Sequence, residues 1–486
     1  MEGIYVLNPD YILRNDVKRV ILAKSDGEGI STFIHPLHGM ILSFFDSSLE
    51  YSENVKRISE SLQLKEIDII NFTSKLVNNS EKIWIGEGSN ASHFPEKILI
   101  PKPNNYKERK YHFRDFLIDG KIVDLSTKRF YIPIETILMI NSICATNCVY
   151  CYADRNNIFD SNIPFERICE IIDEAKLLKF RKFDVSGGEF FLYKHWEKLL
   201  RKMISVGFNP TIPTKIPLSF GQLKKIKDTG LEKIQISLDT TNSHNLSKIL
   251  KVSSEYWEKM KICFNNLEKI GIRFRVNTVV TSFNCNFNEI DNLIEYLHGF
   301  NNFVEISIGI VGYSLYKSNE ENKIILPKKT DADFLMEKLK MKYGKNEKVI
   351  LSDISLQKNN YHFAEDAFFK KAMCTGNMHL FYILADGKVT LCEELYWHPK
   401  FIIGDLTKQS IMEMWNSKEA MELYNLNQNV INVKSACSHC GYFTDCHVSG
   451  NKCWREILKV YGKENWDYPD PRCPFSPEPI NTIYVG

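Results

Sequence analysis

The stretch YIPIETILMINSICATNCVYC, residues 131–151, decides how the middle of this chain is read. Its first part, YIPIETILMINS, is dense in β-branched and apolar residues and predicts a strand. Its second part sets Cys144, Cys148 and Cys151 within eight residues. A structural zinc site is closed by four protein ligands, usually as two C-x2-C-like pairs. Here a C-x3-C runs into a C-x2-C with no fourth ligand nearby. A zinc site completed by a distant His or Cys is one reading. A four-iron cluster with one iron left open for a small molecule is the other, and the loop position favours it. In parallel βα architectures the reacting groups stand at the carboxyl ends of the strands.

Outward from this loop the pattern is strand–helix alternation. IPFERICEIIDEAKLLK, HWEKLLRKMISVG, SFGQLKKIKDTG and YWEKMKICFNNLEKIG read as helices, between strands in KFDVSGGEFFL, FNPTIPT, EKIQISLDT, FRVNTVVTS and FVEISIGIVG. Repeated βα units predict a parallel sheet with helices outside. About six units fit into 131–315, short of the eight of a full barrel, so a partial (β/α)6 barrel over 131–330 is expected. Upstream, residues 1–95 read as a small sheet followed by two or three short helices, an α+β domain, and 96–130 as a polar linker with two prolines. Downstream, 331–373 reads as a bridging region and 374–486 as a cysteine-rich domain.

At 486 residues the chain has room for roughly three domains of about 150 residues. Its 62 basic and 60 acidic residues leave a net charge of +2, no excess for holding a polyanion, so no nucleic-acid partner is expected. MEGIYVLNPD has no signal-peptide texture, and no apolar run approaches the ~20 residues of a membrane span. A cytoplasmic protein without a membrane partner is expected. In that compartment thirteen cysteines point to metal ligation rather than to disulfides. Seven of them, Cys374, Cys392, Cys437, Cys440, Cys446, Cys453 and Cys473, fall in the last quarter. Cys169, Cys263 and Cys285 are scattered and read as ordinary packed thiols.

The C-x3-C-x2-C with Tyr150 before its last cysteine resembles the signature of radical S-adenosylmethionine (SAM) enzymes. Further positions resemble that family in order: Ser186-Gly187-Gly188-Glu189 at the end of the second strand, Ser237 and Asp239 in QISLDT, and Asn277 in RVNTVV. Phe190 stands where the family usually has proline, and His244 is followed by Lys248 where many relatives have a His…Arg pairing. The resemblance implies that Cys144, Cys148 and Cys151 hold a catalytic [4Fe-4S] cluster. It implies contacts to SAM from Tyr150, Ser186, Gly187, Gly188, Glu189, Ser237, Asp239 and Asn277. It also implies hydrogen abstraction by a 5′-deoxyadenosyl radical.

The C-terminal cysteines resemble the SPASM domain, whose pattern is Cys, Gly-x4-Cys, then C-x2-C-x5-C-x3-C and a final Cys. Cys374, Gly387-x4-Cys392 and Cys437-x2-Cys440-x5-Cys446 follow it, but six residues (HVSGNK) separate Cys446 from Cys453 where the pattern has three. The resemblance implies one auxiliary [4Fe-4S] cluster on Cys437, Cys440, Cys446 and Cys473, and another on Cys374, Cys392 and Cys453, three clusters in all. His439 and His447 read as incidental. Residues 1–95 resemble the PqqD-like leader-recognition fold of peptide-modifying systems, and the same texture fits a DNA-reading winged helix. Together the resemblances imply a maturase of a ribosomally made precursor peptide, of the thioether-forming sactipeptide and ranthipeptide type. The leader would be bound as an added strand, and a flavodoxin- or ferredoxin-type reductant would supply electrons. Carbon–carbon or carbon–oxygen cross-linking, formylglycine formation by a sulfatase-maturing enzyme, and an iron–sulfur regulator without turnover are the alternatives.

Overall fold

The alternating apolar residues of YILRNDVKRVILAKS form a hairpin in this computed structural model, which describes residues 2–24, 32–46, 49–88, 91–109, 111–154, 161–352, 368 and 374–480. Most of the bridging region, from residue 353 on, lies outside the described residues apart from Phe368. The chain divides into two units, Met1–Pro133 and Ile134–Gly486.

The first unit begins with strands β1 (Tyr5–Leu7), β2 (Tyr11–Asn15), β3 (Val20–Lys24) and β4 (Thr32–Ile34). Strands β2, β3 and β4 make an antiparallel sheet whose inward side chains include Leu13, Val20, Leu22 and Ile34, all buried. Helix Pro36–Leu42 lies close against it: a Cβ on Gly39 would stand 2.8 Å from Val20 Cγ2. Helices Tyr51–Leu62 and Glu66–Thr73 follow, then β5 (Ile83–Ile85) paired antiparallel with β6 (Ser92–Phe94). Strands before helices is the order the sequence pattern predicts. Residues 96–130, expected as a linker, are folded into this unit. Their β7 (Leu99–Pro101) pairs antiparallel with β1, and Phe116 is buried.

The second unit carries the βα alternation. Strands β8 (Glu135–Met139) and β9 (Lys182–Ser186) pair in parallel. So do β10 (Pro213–Thr214), β11 (Lys233–Ser237), β12 (Arg273–Val280), β13 (Phe303–Ile310) and β14 (Val349–Leu351). Helices connect them, among them Phe165–Leu177, Trp196–Ser205, Phe220–Asp228 and Tyr256–Ile270. The ends are set locally: Ser219 and Gln222 form a capping box, and Gly271 at φ 71° closes the longest of these four helices. No ladder joins β9 to β10, because Pro213 has no N–H and β10 is only two residues long. Side-chain acceptors close the seam instead. Asp184 Oδ1 accepts from Thr211 N at 2.9 Å, and the Glu189 carboxylate accepts from the Thr214 hydroxyl at 2.8 Å and Lys215 N at 3.1 Å.

The cysteine-rich end does not stand apart from this sheet. Strand β15 (Leu380–Ile383) lies parallel to β8, pairing Leu380 with Glu135 through Ile383 with Leu138. Its hairpin partner β16 (Lys388–Thr390), reached through the Asp386-Gly387 turn, and then β17 (Ile402–Asp405), continue the sheet antiparallel.

The exit from the first unit is fixed by a buried ion pair. Arg19 Nε meets Asp16 Oδ2 at 2.9 Å with both side chains fully buried. Arg19 also donates to the carbonyls of Thr127 and Arg129, and Asp16 Oδ1 accepts from Ile132 N at 2.8 Å. Removing one partner of such a pair strands the other charge. Arg19→Met is therefore expected to lower stability by about 3–5 kcal/mol, read from urea unfolding of the full chain. Retention of wild-type stability would show that the clamp carries no weight.

Candidate active site

Past the β8–β9 ladder the two chains stay zipped together. Ile140 N donates to the Ser186 carbonyl at 3.0 Å, Gly188 N to Asn141 O at 2.6 Å, and Glu189 N to Ile143 O at 2.6 Å. Only glycine allows this approach. A Cβ on Gly187, at φ 120°, would stand 2.3 Å from Asn141 O, and one on Gly188 would stand 2.1 Å from Ile143 O. The glycine pair thus sets the entrance of the cysteine loop. The loop is then stitched to the end of helix Ser243–Leu250, where Asn147 N donates to Leu250 O at 3.1 Å and Val149 N to Ile249 O at 2.8 Å.

Cys144, Cys151, Gly187, Gly188 and Asn141 line one cavity of about 360 Å³, together with Tyr396 and Trp397 from the loop after β16. Asn141 Nδ2 donates to the Glu189 carbonyl, while its Oδ1 is buried without a hydrogen-bond partner. Cys148 stands beside Thr146, with Sγ and the hydroxyl 3.2 Å apart. Burial pushes the Cys148 thiol up, and the nearby Lys215 charge opposes that rise.

The remaining expected SAM contacts divide. Ser186 ends β9 and Ser237 ends β11, and Asn277, inside β12, lies in register with Ser237. Tyr150 and Asp239 turn toward each other: the phenol donates to Asp239 Oδ2 at 2.7 Å while Val279 N donates to Oδ1 at 2.9 Å. Asp239 is fully buried, and desolvation raises its pKa against the pull of Lys215. Both acidic residues, Asp239 and Glu189, therefore spend their oxygens on the protein and hold the loop and the β9–β10 seam. Lys215 was missed in the sequence. It follows β10, its Nζ lies 5.6 Å from the Tyr150 ring centroid, and its charge reaches Cys148, Glu189 and Asp239. A lone lysine after a short proline-flanked strand gives no signal without the fold.

In the cysteine-rich region Cys437, Cys440, Cys446 and Cys473 line one cavity of about 310 Å³. Gln428 Nε2 fixes the C-x2-C turn by donating to the carbonyls of Cys437 and Cys440, at 2.9 Å each. Cys374, Cys392 and Cys453 form a second group around Arg455, whose charge bears on all three thiols. Burial pushes the Cys374, Cys446 and Cys473 thiols up to about 12. Metal ligation removes such protons outright. Among the described residues, no three His, Cys, Asp or Glu side chains converge closely enough to hold a lone metal ion. Four thiols around one cavity, Cys473 buried and the other three partly so, are a donor set that fits an iron–sulfur cluster. Tyr152, next to Cys151, donates to Glu393, next to Cys392, at 3.3 Å. No helix among the described residues is long and apolar enough to cross a membrane.

Residues 138–297 match the Radical SAM superfamily, and residues 374–441 match SPASM, an iron–sulfur cluster-binding domain. The chain is 25% identical over 305 residues to a GTP 3′,8-cyclase of Helicobacter pylori, spanning 57% of this chain and 89% of that protein. It is 26% identical over 208 residues to the GTP 3′,8-cyclase of Clostridium botulinum, spanning 39% and 63%. In fold it is similar to Streptococcus suis SuiB bound to the precursor peptide SuiA, with TM-score 0.64, 13% identity, and coverage of 96% of this chain and 98% of that one. SuiB bound to S-adenosylmethionine matches with TM-score 0.66 at 14% identity, covering 96% and 99%. The chain carries a radical SAM domain and a SPASM domain, which imply SAM and iron–sulfur clusters as cofactors.

The zipped glycines make a direct test. Gly188→Ala is expected to push the cysteine loop away and to cut 5′-deoxyadenosine formation by roughly 100-fold, the cost of a misplacement of about 1 Å. Gly221→Ala, with nothing within 4 Å of its Cβ, is the control and should leave the rate unchanged. Equal rates in the two variants would remove the glycine contact from the account.

Proposed function

We propose that this chain is a radical SAM enzyme that modifies a ribosomally made precursor peptide, joining a peptide cysteine sulfur to a carbon as a thioether. The observation that carries the reading is a likeness in fold over nearly the whole chain, first unit included, to a protein described with a precursor peptide bound. Cys144, Cys148 and Cys151 would hold a cluster at which SAM, on one-electron reduction, would supply a radical able to take a hydrogen atom from a substrate carbon. Closing the thioether would release the cysteine proton, and the remaining electron would pass to an iron–sulfur cluster.

The chain's own residues set the conditions for that chemistry. Gly187 and Gly188 give the cavity a wall without side chains, and Asn141 Oδ1 offers a buried acceptor to a donor group of SAM. Lys215 favours the thiolate of Cys148, the form that binds iron. Tyr396 and Trp397 cover the same cavity with apolar rings and exclude water from it. Cys374, Cys392 and Cys453 supply three thiolates, one short of a cluster's four, which leaves a place for a substrate thiol. Cys437, Cys440, Cys446 and Cys473 supply a complete set. Residues 1–133 bind the leader by adding it as a strand to a sheet edge. The identity to GTP 3′,8-cyclases favours a second reading, cyclisation of a purine nucleotide.

The test is to incubate the reconstituted chain with SAM, a low-potential reductant and a candidate precursor peptide, then alkylate with iodoacetamide. About twelve iron atoms per chain are expected. A thioether predicts a product two hydrogens lighter per link, with one fewer alkylatable cysteine each. The same mass loss with every cysteine alkylated would overturn the thioether and leave carbon–carbon or carbon–oxygen linkage. Conversion of GTP with no change in any peptide would establish the second reading. Changing Cys144, Cys148 and Cys151 to alanine is expected to abolish 5′-deoxyadenosine formation, and residues 1–133 alone are expected to bind the leader but not the modified core.

A further inference from the structure

The six-residue gap between Cys446 and Cys453 supplies three buried side chains, His447, Asn451 and Lys452. Lys452 is 3% exposed, and its Nζ has no nitrogen or oxygen partner among the described residues. It lines the cavity of Cys437, Cys440, Cys446 and Cys473, and also an adjoining one of about 370 Å³ beside Cys374. Its ammonium lies 5.0 Å from the Trp454 ring centroid. Among the described residues Asp470 is the one carboxylate lining either cavity, and it is engaged elsewhere. It accepts from Arg472 Nε at 2.7 Å, Arg472 Nη2 at 2.6 Å and Cys453 N at 2.8 Å. His447 also faces both cavities, and burial together with Lys452 holds its imidazole neutral.

An ammonium in a dry interior without a counter-charge is strongly unfavourable. Four thiolates on a four-iron cluster are the anion this lysine lacks, and that negative charge grows on reduction. A fixed cation nearby, in a low dielectric, favours the more negative, reduced form. The group of Cys374, Cys392 and Cys453 is placed differently. Its cation, Arg455, is paired with Glu394 at 2.8 Å and Glu456 at 3.0 Å.

We propose that Lys452 is a positioning residue, a fixed counter-charge that raises the reduction potential of the cluster held by Cys437, Cys440, Cys446 and Cys473 and makes it the more readily reduced of the auxiliary pair. The inference rests on the cysteine assignments made above. It does not depend on which bond the enzyme forms.

The experiment uses the full chain, reconstituted with iron and sulfide, in a background where Cys144, Cys148 and Cys151 are alanine, so that only auxiliary signals remain. Midpoint potentials are read by redox titration followed by electron paramagnetic resonance, with iron counted in each sample. Lys452→Met is expected to move one midpoint to more negative potential, and Lys452→Arg to keep it near the wild-type value. Loss of about four irons from Lys452→Met with retention in Lys452→Arg would equally support a counter-charge. Unchanged midpoints in Lys452→Met at full iron content would overturn the proposal, as would equal iron loss from both variants. Absence of auxiliary iron from the parent chain would overturn the cysteine assignments, and this inference with them.

Discussion

Two backbones meeting at hydrogen-bond distance, 140–143 against 186–189, are the constraint on which the rest of the site depends. A cysteine loop without secondary structure of its own has many conformations, and ordering each residue costs about 1–2 kcal/mol. The zipper at Gly187 and Gly188 fixes where the loop begins, and the end of helix Ser243–Leu250 fixes where it turns. Between these anchors three cysteines are presented at the end of a rigid sheet. The Tyr150–Asp239–Val279 bridge then ties the loop to β12. The Asp239 and Glu189 carboxylates are thus part of the frame.

Much of this was legible in the sequence, for identifiable reasons. Helix and strand alternation over 131–315 is a matter of local periodicity, and the structure follows it. The Asp-Gly turn between β15 and β16 is equally local. The grouping of the four thiols at 437–473 came only from the resemblance to the SPASM pattern, since spacing alone cannot place Cys473 beside the other three, and the four do line one cavity. The parallel pairing of β15 with β8 could not be read, since the partners lie about 245 residues apart in the chain and each looks like any other short strand. Nor could the unladdered seam between β9 and β10. Pro213 announces a missing donor, but nothing announces that Asp184 and Glu189 will replace it. Glu189 shows the limit of reading by resemblance: its place in the motif is as expected, yet its oxygens face Thr214 and Lys215.

Charge is handled differently in the two units. In the first, Arg19 and Asp16 are fully buried and satisfy each other and the backbone of 127–132, so the pair specifies one arrangement of the exit segment. In the second, Lys215 bears on Cys148 as well as on Glu189 and Asp239, and Lys452 bears on Cys437. Cations kept near thiols favour thiolates, and that is the chemistry a protein needs before iron arrives.

The β8–β15 pairing has a consequence for biosynthesis. Strand β8 emerges from the ribosome long before its neighbour, so one side of the first barrel strand waits as an unpaired edge while some 240 further residues are made. Such an edge is a template for intermolecular pairing, and late long-range closure prolongs the exposure. That edge of β8 is therefore covered by the cysteine-rich end of the same chain. Nascent chains interrupted before residue 380, with that edge still bare, should be the ones that aggregate.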